Sequence, residues 1–281
     1  MRIFEKTHRN FADPCRPIRW MTWSNETREL IHEWARMARL LPEPRLVRFG
    51  KGEYQYSLIL AAEARLTSSM QAKMGEFVNS FQRLRVPSGI TCFDQLMDES
   101  IDTHTIRSLF AYIRDRLVTL TGDPLAAIYA PLGAVGGPAQ GDFPLHSDLY
   151  PPAVLFNVFD LVPGDGSGAS LFLALASLKR MVDKWPYAQE RLDELLAPHP
   201  NEDRYEEFYD FLHGAHPWVG PIEKAMVSEQ IVVRLCRGQG YMVNDRLWLH
   251  GRQAPTGRVT STRLHRLIFD TRTTRSTRLR V

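Results

Sequence analysis

The segment His146-Ser147-Asp148 carries residue types from which a metal site can be built. In an extended strand, residues two positions apart point to the same face of the sheet, so this imidazole and this carboxylate can grip one ion. His250, at the end of the segment RLWLH, is the natural third ligand. Two imidazoles and one carboxylate, with open positions opposite, form the site of non-haem Fe(II) oxygenases. For the triplet taken alone, a hydrogen bond in a turn is the competing interpretation.

The elements that must position these residues are short strands. From about residue 127, apolar runs broken by Gly and Pro predict successive strands and tight turns, and the same texture returns near residue 230. Between them, residues 174–229 are charged and helical in pattern, which indicates an insertion that covers the mouth of the strand system. We therefore expect a barrel core formed by residues 126–173 and 230–271.

The N-terminal part of the chain is predicted to support that core. Ser24 and Asn25 are suited to capping a helix over residues 26–41, and a second apolar stripe predicts a helix near residues 103–121. In this interpretation residues 1–125 form an α/β support, and the whole chain of 281 residues is one domain.

Composition and charge are those of an ordinary globular protein. Hydrophobic residues make up 44% and charged residues 24%, and a net charge of +3 does not indicate a nucleic-acid or membrane partner. The Arg-rich segment 272–281 is either a basic tail for a polyanion or a solvated terminus. Cys15, Cys92 and Cys236 lack zinc-ligand spacing, and no stretch reaches the roughly 18 apolar residues of a membrane span. We expect a cytoplasmic protein.

Three segments surround the candidate ligands in order along the chain: HSDLYPP at 146–152, GSGASLF at 166–172 and NDRLWLHGR at 244–252. They resemble the motifs of the taurine dioxygenase and γ-butyrobetaine hydroxylase (clavaminate synthase-like) branch of the Fe(II)/2-oxoglutarate-dependent dioxygenases. The separation between Asp148 and His250 is shorter than in that branch. The resemblance implies a mainly β fold with α, namely a double-stranded β-helix (jelly-roll, cupin-like) core with flanking N-terminal helices and a helical insertion.

The resemblance also implies 2-oxoglutarate as co-substrate, bound by an arginine thirteen residues after the distal histidine. That residue is Arg263, and Arg266 is the alternative. A guanidinium suits this task because its planar fork can bind a carboxylate with two parallel hydrogen bonds. Strand alternation places Arg263 with His265 on one face and Arg266 on the other, so one arginine alone should point into the barrel, and we prefer Arg263. Ser170 matches a family position whose hydroxyl assists co-substrate binding, and an ordinary sheet serine is the equal alternative.

Arg252, Tyr150 and Asn157 lie near the motifs and are candidates for contacts with the primary substrate. The resemblance implies that Fe(II), 2-oxoglutarate and O2 hydroxylate a small molecule, anionic or amino-acid-like, with release of succinate and CO2 and no catalytic residue beyond the metal ligands. Asp148 favours hydroxylation over halogenation, because halogenases of this kind have a small residue there; desaturation and cyclisation stay open. The alternatives are a cupin-type oxygenase that does not use 2-oxoglutarate and a non-catalytic barrel that binds a small molecule.

Overall fold

A computed structural model describes most of the chain. The described residues are 1, 3–9, 18–48, 56–61, 66–82, 89–96, 98, 101–124, 126–132, 143–148, 154–162, 167–197, 204–256 and 263–269. Tyr150 and the basic tail over residues 272–281 lie outside them.

The described residues form a mixed α/β architecture. The helices are α1 Asn25–Ala38, α2 Ser68–Gln82, α3 Thr103–Thr121, α4 Leu175–Val182, α5 Pro186–Leu196, α6 Tyr205–His213 and α7 Val219–Glu229. The strands are β1 Phe4–Arg9, β2 Ile18–Trp23, β3 Arg45–Arg48, β4 Tyr56–Ile59, β5 Ile90–Phe93, β6 Ala127–Leu132, β7 Phe143–His146, β8 Val154–Leu161, β9 Ser170–Ala174, β10 Ile231–Val233, β11 Gly240–Asn244, β12 Trp248–Arg252 and β13 Arg263–Phe269.

Helices α1 and α3 confirm the two helices predicted in the N-terminal part. The hydroxyl of Ser24 accepts a hydrogen bond from the Thr27 amide and caps α1. The carboxylate of Asp102 caps α3 in the same way, and α3 ends at Gly122, whose φ of 72° favours glycine. Helix α2 has no counterpart among the predicted elements.

Two sheets carry the candidate site. The larger sheet has the order β1-β2-β5-β11-β8-β13-β6, and the smaller sheet has the order β10-β9-β12-β7. Strand β8 lies in the middle of the larger sheet, and seven of its eight residues are buried. A nearly continuous apolar run is typical of a strand that is covered on both faces. Asn157 and Asp160 interrupt that run, so each needs a polar partner on its own face.

Three apolar clusters separate the layers of the molecule. The first includes Phe156 and lies between the larger sheet and helices α1–α3. The second includes Leu155 and Phe172 and lies between the two sheets. The third includes Leu249 and lies between the smaller sheet and helices α4–α7. Because the neighbours Leu155 and Phe156 belong to different clusters, alternation along β8 assigns its odd-numbered positions to the space between the sheets.

Helices α4–α7 occupy the segment predicted to be a helical insertion. Their apolar residues pack on the outer face of the smaller sheet. Helix α6 is fastened to β7 by His213, whose Nε2 lies 2.9 Å from the carbonyl oxygen of Leu145. Among the described residues, no helix combines the length and apolar character that crossing a bilayer requires.

Candidate metal centre

His146 and His250 come from neighbouring strands of the smaller sheet. They are direct partners in the antiparallel pair of β7 and β12, and their ring centroids lie 4.3 Å apart. Gly251 makes this approach feasible. A Cβ at position 251 would lie 2.6 Å from the carbonyl oxygen of Phe143, so a larger residue would force β7 away from β12. Glycine at position 251 of the HGR segment therefore allows β7 and β12 to lie close enough to bring the two histidines together.

Asp148 follows β7 and completes a three-residue cluster. His146, Asp148 and His250 each offer a ligand atom within 4.8 Å of the others, and all three residues are buried. His146 Nε2 lies 3.5 Å from Asp148 Oδ1, and neither atom has a hydrogen-bond partner among the described residues. Buried polar atoms are almost always paired, so two unpaired atoms that face each other indicate a position for a ligand. The donor set of two imidazoles and one carboxylate suits Fe(II).

The second ring nitrogen of His146 makes a hydrogen bond, and that of His250 faces a carboxylate. His146 Nδ1 lies 2.8 Å from the carbonyl oxygen of Pro144, which can only accept a hydrogen bond. His250 Nδ1 lies 3.2 Å from Oδ1 of Asp245. In each ring, a proton on Nδ1 leaves the Nε2 lone pair available, which is the usual arrangement of metal-binding histidines.

Asp245 contacts both the segment that carries Asp148 and the ring of His250, and the sequence analysis did not identify it. Its carboxylate accepts hydrogen bonds from the Ser147 hydroxyl at 3.0 Å and from the Asp148 amide at 3.3 Å, while it also faces His250. The side chain is fully buried. A signal was present in the sequence, because Asp245 lies in the same NDRLWLHGR segment as His250, five residues before it.

The two candidate arginines of β13 point to opposite faces, and the preference for Arg263 as the residue that faces the cluster is wrong. Arg263 Nε donates to Asp160 Oδ2 at 2.5 Å, and its NH2 donates to Thr103 at 2.8 Å, on the side of helix α3. Arg266 NH1 donates to Asp148 Oδ2 at 2.7 Å. The buried carboxylate of Asp160 supplies the counter-charge that holds Arg263 outside the space between the sheets.

The other predicted site residues also lie on the inner faces of the sheets. Asn157 is fully buried, and its Oδ1 accepts a hydrogen bond from Arg266 Nε at 3.1 Å. Asn157 Nδ2 has no partner among the described residues. Ser170 is buried and is the direct strand partner of Arg252, which is half-buried. Because Arg252 is two residues from His250, both side chains share one face of β12. Tyr150 lies outside the described residues.

Two aromatic side chains pack against His146 and have no counterpart in the sequence prediction. The ring of Phe143 lies edge-on at 4.5 Å between centroids, and the ring of Tyr205 lies edge-on at 5.8 Å. Tyr205 is the first residue of α6, so the helical segment reaches the candidate metal site directly. The aromatic content of this segment hinted at such contacts, but only the fold brings Tyr205 to the cluster.

Comparison with solved structures identifies the fold. A structure of asparagine oxygenase in complex with Fe(II), 2S,3S-3-hydroxyasparagine and succinate matches with a TM-score of 0.50 and 14% identity, over 90% of this chain and 93% of that one. This chain shares the fold of asparagine oxygenase.

Two further structures match less closely. The non-heme iron oxygenase OrfP in complex with Fe has a TM-score of 0.42 and 13% identity over 93% of this chain and 96% of that one. A taurine dioxygenase from Burkholderia xenovorans has a TM-score of 0.37 and 13% identity over 81% and 91%. No family model matches the sequence, and no curated protein is similar to it in sequence.

Within this oxygenase-like fold, the electrostatics favour neutral imidazoles beside an ionised carboxylate. Burial lowers the pKa of His250 to about 3 and also lowers the pKa of His146. Burial opposes ionisation of Asp148, but Arg266 and the two histidines hold the pKa of that carboxyl well below its usual range. Burial and the Asp148 charge raise the pKa of Asp245 to about 7. Deprotonated imidazole and carboxylate are the forms that bind a metal ion.

Proposed function

We propose that this protein is an Fe(II)- and 2-oxoglutarate-dependent oxygenase that hydroxylates a small molecule and releases succinate and CO2. One observation carries the proposal: His146 Nε2 and Asp148 Oδ1 are buried and 3.5 Å apart, beside the buried ring of His250, and neither atom has a hydrogen-bond partner in the part of the chain that the structure describes. The fold shared with asparagine oxygenase, whose structure holds Fe(II) and succinate, supports it. The three ordered motif segments around these residues support it independently.

In this proposal the protein holds the metal ion from one side. His146, Asp148 and His250 would bind Fe(II). The hydrogen bond between His146 and Pro144, the one that the Asp148 amide donates to Asp245, and the 3.2 Å contact between His250 Nδ1 and Asp245 orient the ligand atoms. When bound, Fe(II) with 2-oxoglutarate and O2 supplies the oxidising chemistry, and the protein supplies orientation and a water-poor site. No catalytic residue is proposed beyond the three ligands.

Arg266, rather than Arg263, is proposed to bind the co-substrate. Its guanidinium lies between the sheets, against Asp148 and Asn157, where a carboxylate would find a bidentate partner. Ser170 and Arg252 are proposed to line the same space, because both are on the inner face of the smaller sheet.

The primary substrate is proposed to be amino-acid-like. The asparagine oxygenase structure contains 3-hydroxyasparagine, which shows that this fold accommodates such a molecule in that protein. In the present chain Tyr205 and Phe143 cover His146, so an aromatic wall would face the substrate on the side of α6. Arg252 and the unpaired amide nitrogen of Asn157 offer donors for a carboxylate or carboxamide.

The two packed sheets are proposed to be the two halves of a jelly roll, with residues 126–173 and 230–271 as its core and residues 174–229 as its cover. The apolar cluster between the sheets supports this, as does the third cluster under α4–α7. Since the N-terminal helices share the first cluster with β8, β11 and β13, we propose that the chain is a single domain.

Anaerobic reconstitution tests the proposal. The protein is loaded with Fe(II) and then with 2-oxoglutarate, and a visible charge-transfer band is expected, followed by O2-dependent release of succinate. A panel of free amino acids that includes asparagine and arginine should contain a compound that accelerates succinate release, and mass spectrometry of that compound should show the addition of one oxygen atom. Chelator-treated protein is the control. Iron binding without the band or succinate would instead support an oxygenase that does not use 2-oxoglutarate.

A further inference from the structure

Arg266 touches two of the three candidate metal ligands. Its NH1 lies 2.7 Å from Asp148 Oδ2, and its NH2 lies 3.2 Å from His250 Nε2. Asp148 can bind the metal ion and Arg266 at the same time, because Oδ1 faces His146 while Oδ2 binds the guanidinium. His250 Nε2 cannot bind a metal ion and accept a hydrogen bond from Arg266 at the same time, because a neutral imidazole has one lone pair. A metal ion that takes His250 as a ligand must therefore displace the Arg266 NH2 group.

The charges near Arg266 make this displacement costly without a second ligand. Asp148 carries one negative charge and already balances Arg266, and both side chains are almost fully buried. A divalent ion added to this pair leaves an excess of two positive charges in a region where burial weakens solvent screening. A dicarboxylate brings two negative charges and restores neutrality.

We propose that Arg266 couples the two ligands: it opposes binding of the divalent metal alone and makes metal binding favourable once a dicarboxylate is present. The inference rests on the proposed function, since it takes the metal site and the dicarboxylate from there. By linkage, the factor by which the dicarboxylate tightens metal binding equals the factor by which the metal tightens dicarboxylate binding. A factor of about 10 to 100 is the usual size of such coupling.

Calorimetric titration of the metal-free protein with Mn²⁺, with and without saturating 2-oxoglutarate, tests the coupling. For the wild type we expect 2-oxoglutarate to tighten Mn²⁺ binding at least about tenfold. In Arg266→Gln and Arg266→Met, Mn²⁺ alone should bind about tenfold more tightly than to the wild type, and 2-oxoglutarate should tighten Mn²⁺ binding by a clearly smaller factor than in the wild type. Arg266→Lys keeps the charge and should keep Mn²⁺ binding weak in the absence of 2-oxoglutarate.

Arg263→Met is the matched control, because Arg263 lies on the other face of the same strand. It should leave both Mn²⁺ affinities unchanged, and a change in its coupling factor would count against a specific role for Arg266. If a folded Arg266→Gln protein, checked by circular dichroism, binds Mn²⁺ alone as weakly as the wild type or more weakly, the coupling is wrong and the guanidinium merely orients Asp148. If the wild type binds no Mn²⁺ under either condition, the proposed metal site fails together with the coupling.

Discussion

Each face of the strand pair β8 and β13 lies against a group of polar residues that includes an aspartate, a histidine and an arginine. The two groups differ in how many of their polar atoms have partners. On the inner face, Asp148, His250 and Arg266 lie together with His146. On the helix-facing side, Asp160, His265 and Arg263 form a second group, in which Asp160 and His265 are buried, Arg263 is partly exposed, and His265 Nε2 lies 3.4 Å from Asp160 Oδ2. Composition and burial alone do not separate a candidate metal site from a structural ion pair.

The difference lies in which atoms have partners. The Asp160 carboxylate has Arg263, Thr103 and Arg237 around it in addition to His265, and the other nitrogen of His265 lies 2.6 Å from the hydroxyl of Tyr129. In the inner group His146 Nε2 and Asp148 Oδ1 have no hydrogen-bond partner among the residues that the structure describes. A saturated group stabilises the packing of the sheet on α3, whereas an unsaturated one keeps polar atoms that can bind a ligand.

Replacing the histidine of each group should have the largest and most different effects. His146→Ala is expected to abolish binding of Mn²⁺ or Fe(II) and reduce succinate release to background, because one of three ligands is lost. His265→Ala should keep the metal stoichiometry and lose stability instead, since Asp160 and Tyr129 lose a buried partner. Metal titration and denaturant unfolding of both variants measure this. Loss of metal binding in His265→Ala at full folding would erase the distinction between the groups.

Removing the carboxylate of the saturated group should cost stability alone. In Asp160→Asn the Arg263 guanidinium loses its counter-ion, and breaking a buried pair typically lowers the free energy of unfolding by about 3 kcal/mol. Thr103→Val removes two hydrogen bonds of the same group, one donated to Asp160 and one accepted from Arg263, and should cost about 1–2 kcal/mol. Urea unfolding of chelator-treated protein gives both values. Equal effects of the two substitutions would mean that Asp160 carries no charge-specific role.

The outcome for the two arginines shows what a sequence can determine here. Alternation correctly separates Arg263 and His265 from Arg266, because strand geometry is local. Contacts with Asp160 and Thr103, which are far away in sequence, decide which face of β13 points into the space between the two sheets. Counting residues from His250 does not decide it either, since residues 253–256, which follow β12, are not in a strand.

The histidine and aspartate of the HSD segment were predictable for the same local reason. Residues 146 and 148 lie on one side of an extended segment, and the distal NDRLWLHGR segment pointed to His250. The NDRLWLHGR segment contains Asp245, but the contacts of Asp245 and Tyr205 were not predictable, because they are made between distant parts of the chain: the turn after β11 and helix α6 on one side, β7 and β12 on the other. The fold makes those contacts; spacing along the chain does not contain them.

A smaller effect than that of Asp160→Asn, and one that depends on pH, is expected for the second carboxylate of the inner group. Burial and the Asp148 charge raise the pKa of Asp245 to about 7, against about 3.9 in the unfolded chain. Between these values the folded state binds more protons than the unfolded state, so this residue makes the free energy of unfolding fall as the pH rises. The histidines act in the opposite direction below about pH 6.5, but they are common to the wild type and an Asp245 variant.

Asp245→Asn should therefore gain stability relative to the wild type as the pH rises from about 5 to about 8, by an amount on the order of 2 kcal/mol in metal-free protein. Chelator-treated samples unfolded in urea at several pH values measure the difference. Ser147→Ala removes a hydrogen bond that lowers the pKa of the same carboxyl but keeps the titrating group, so its free energy of unfolding should still fall as the pH rises, unlike that of Asp245→Asn. Parallel curves for Asp245→Asn and the wild type would show that Asp245 is ionised throughout this range. The inner group would then hold two carboxylates in their charged form and be still less like the saturated group around Asp160.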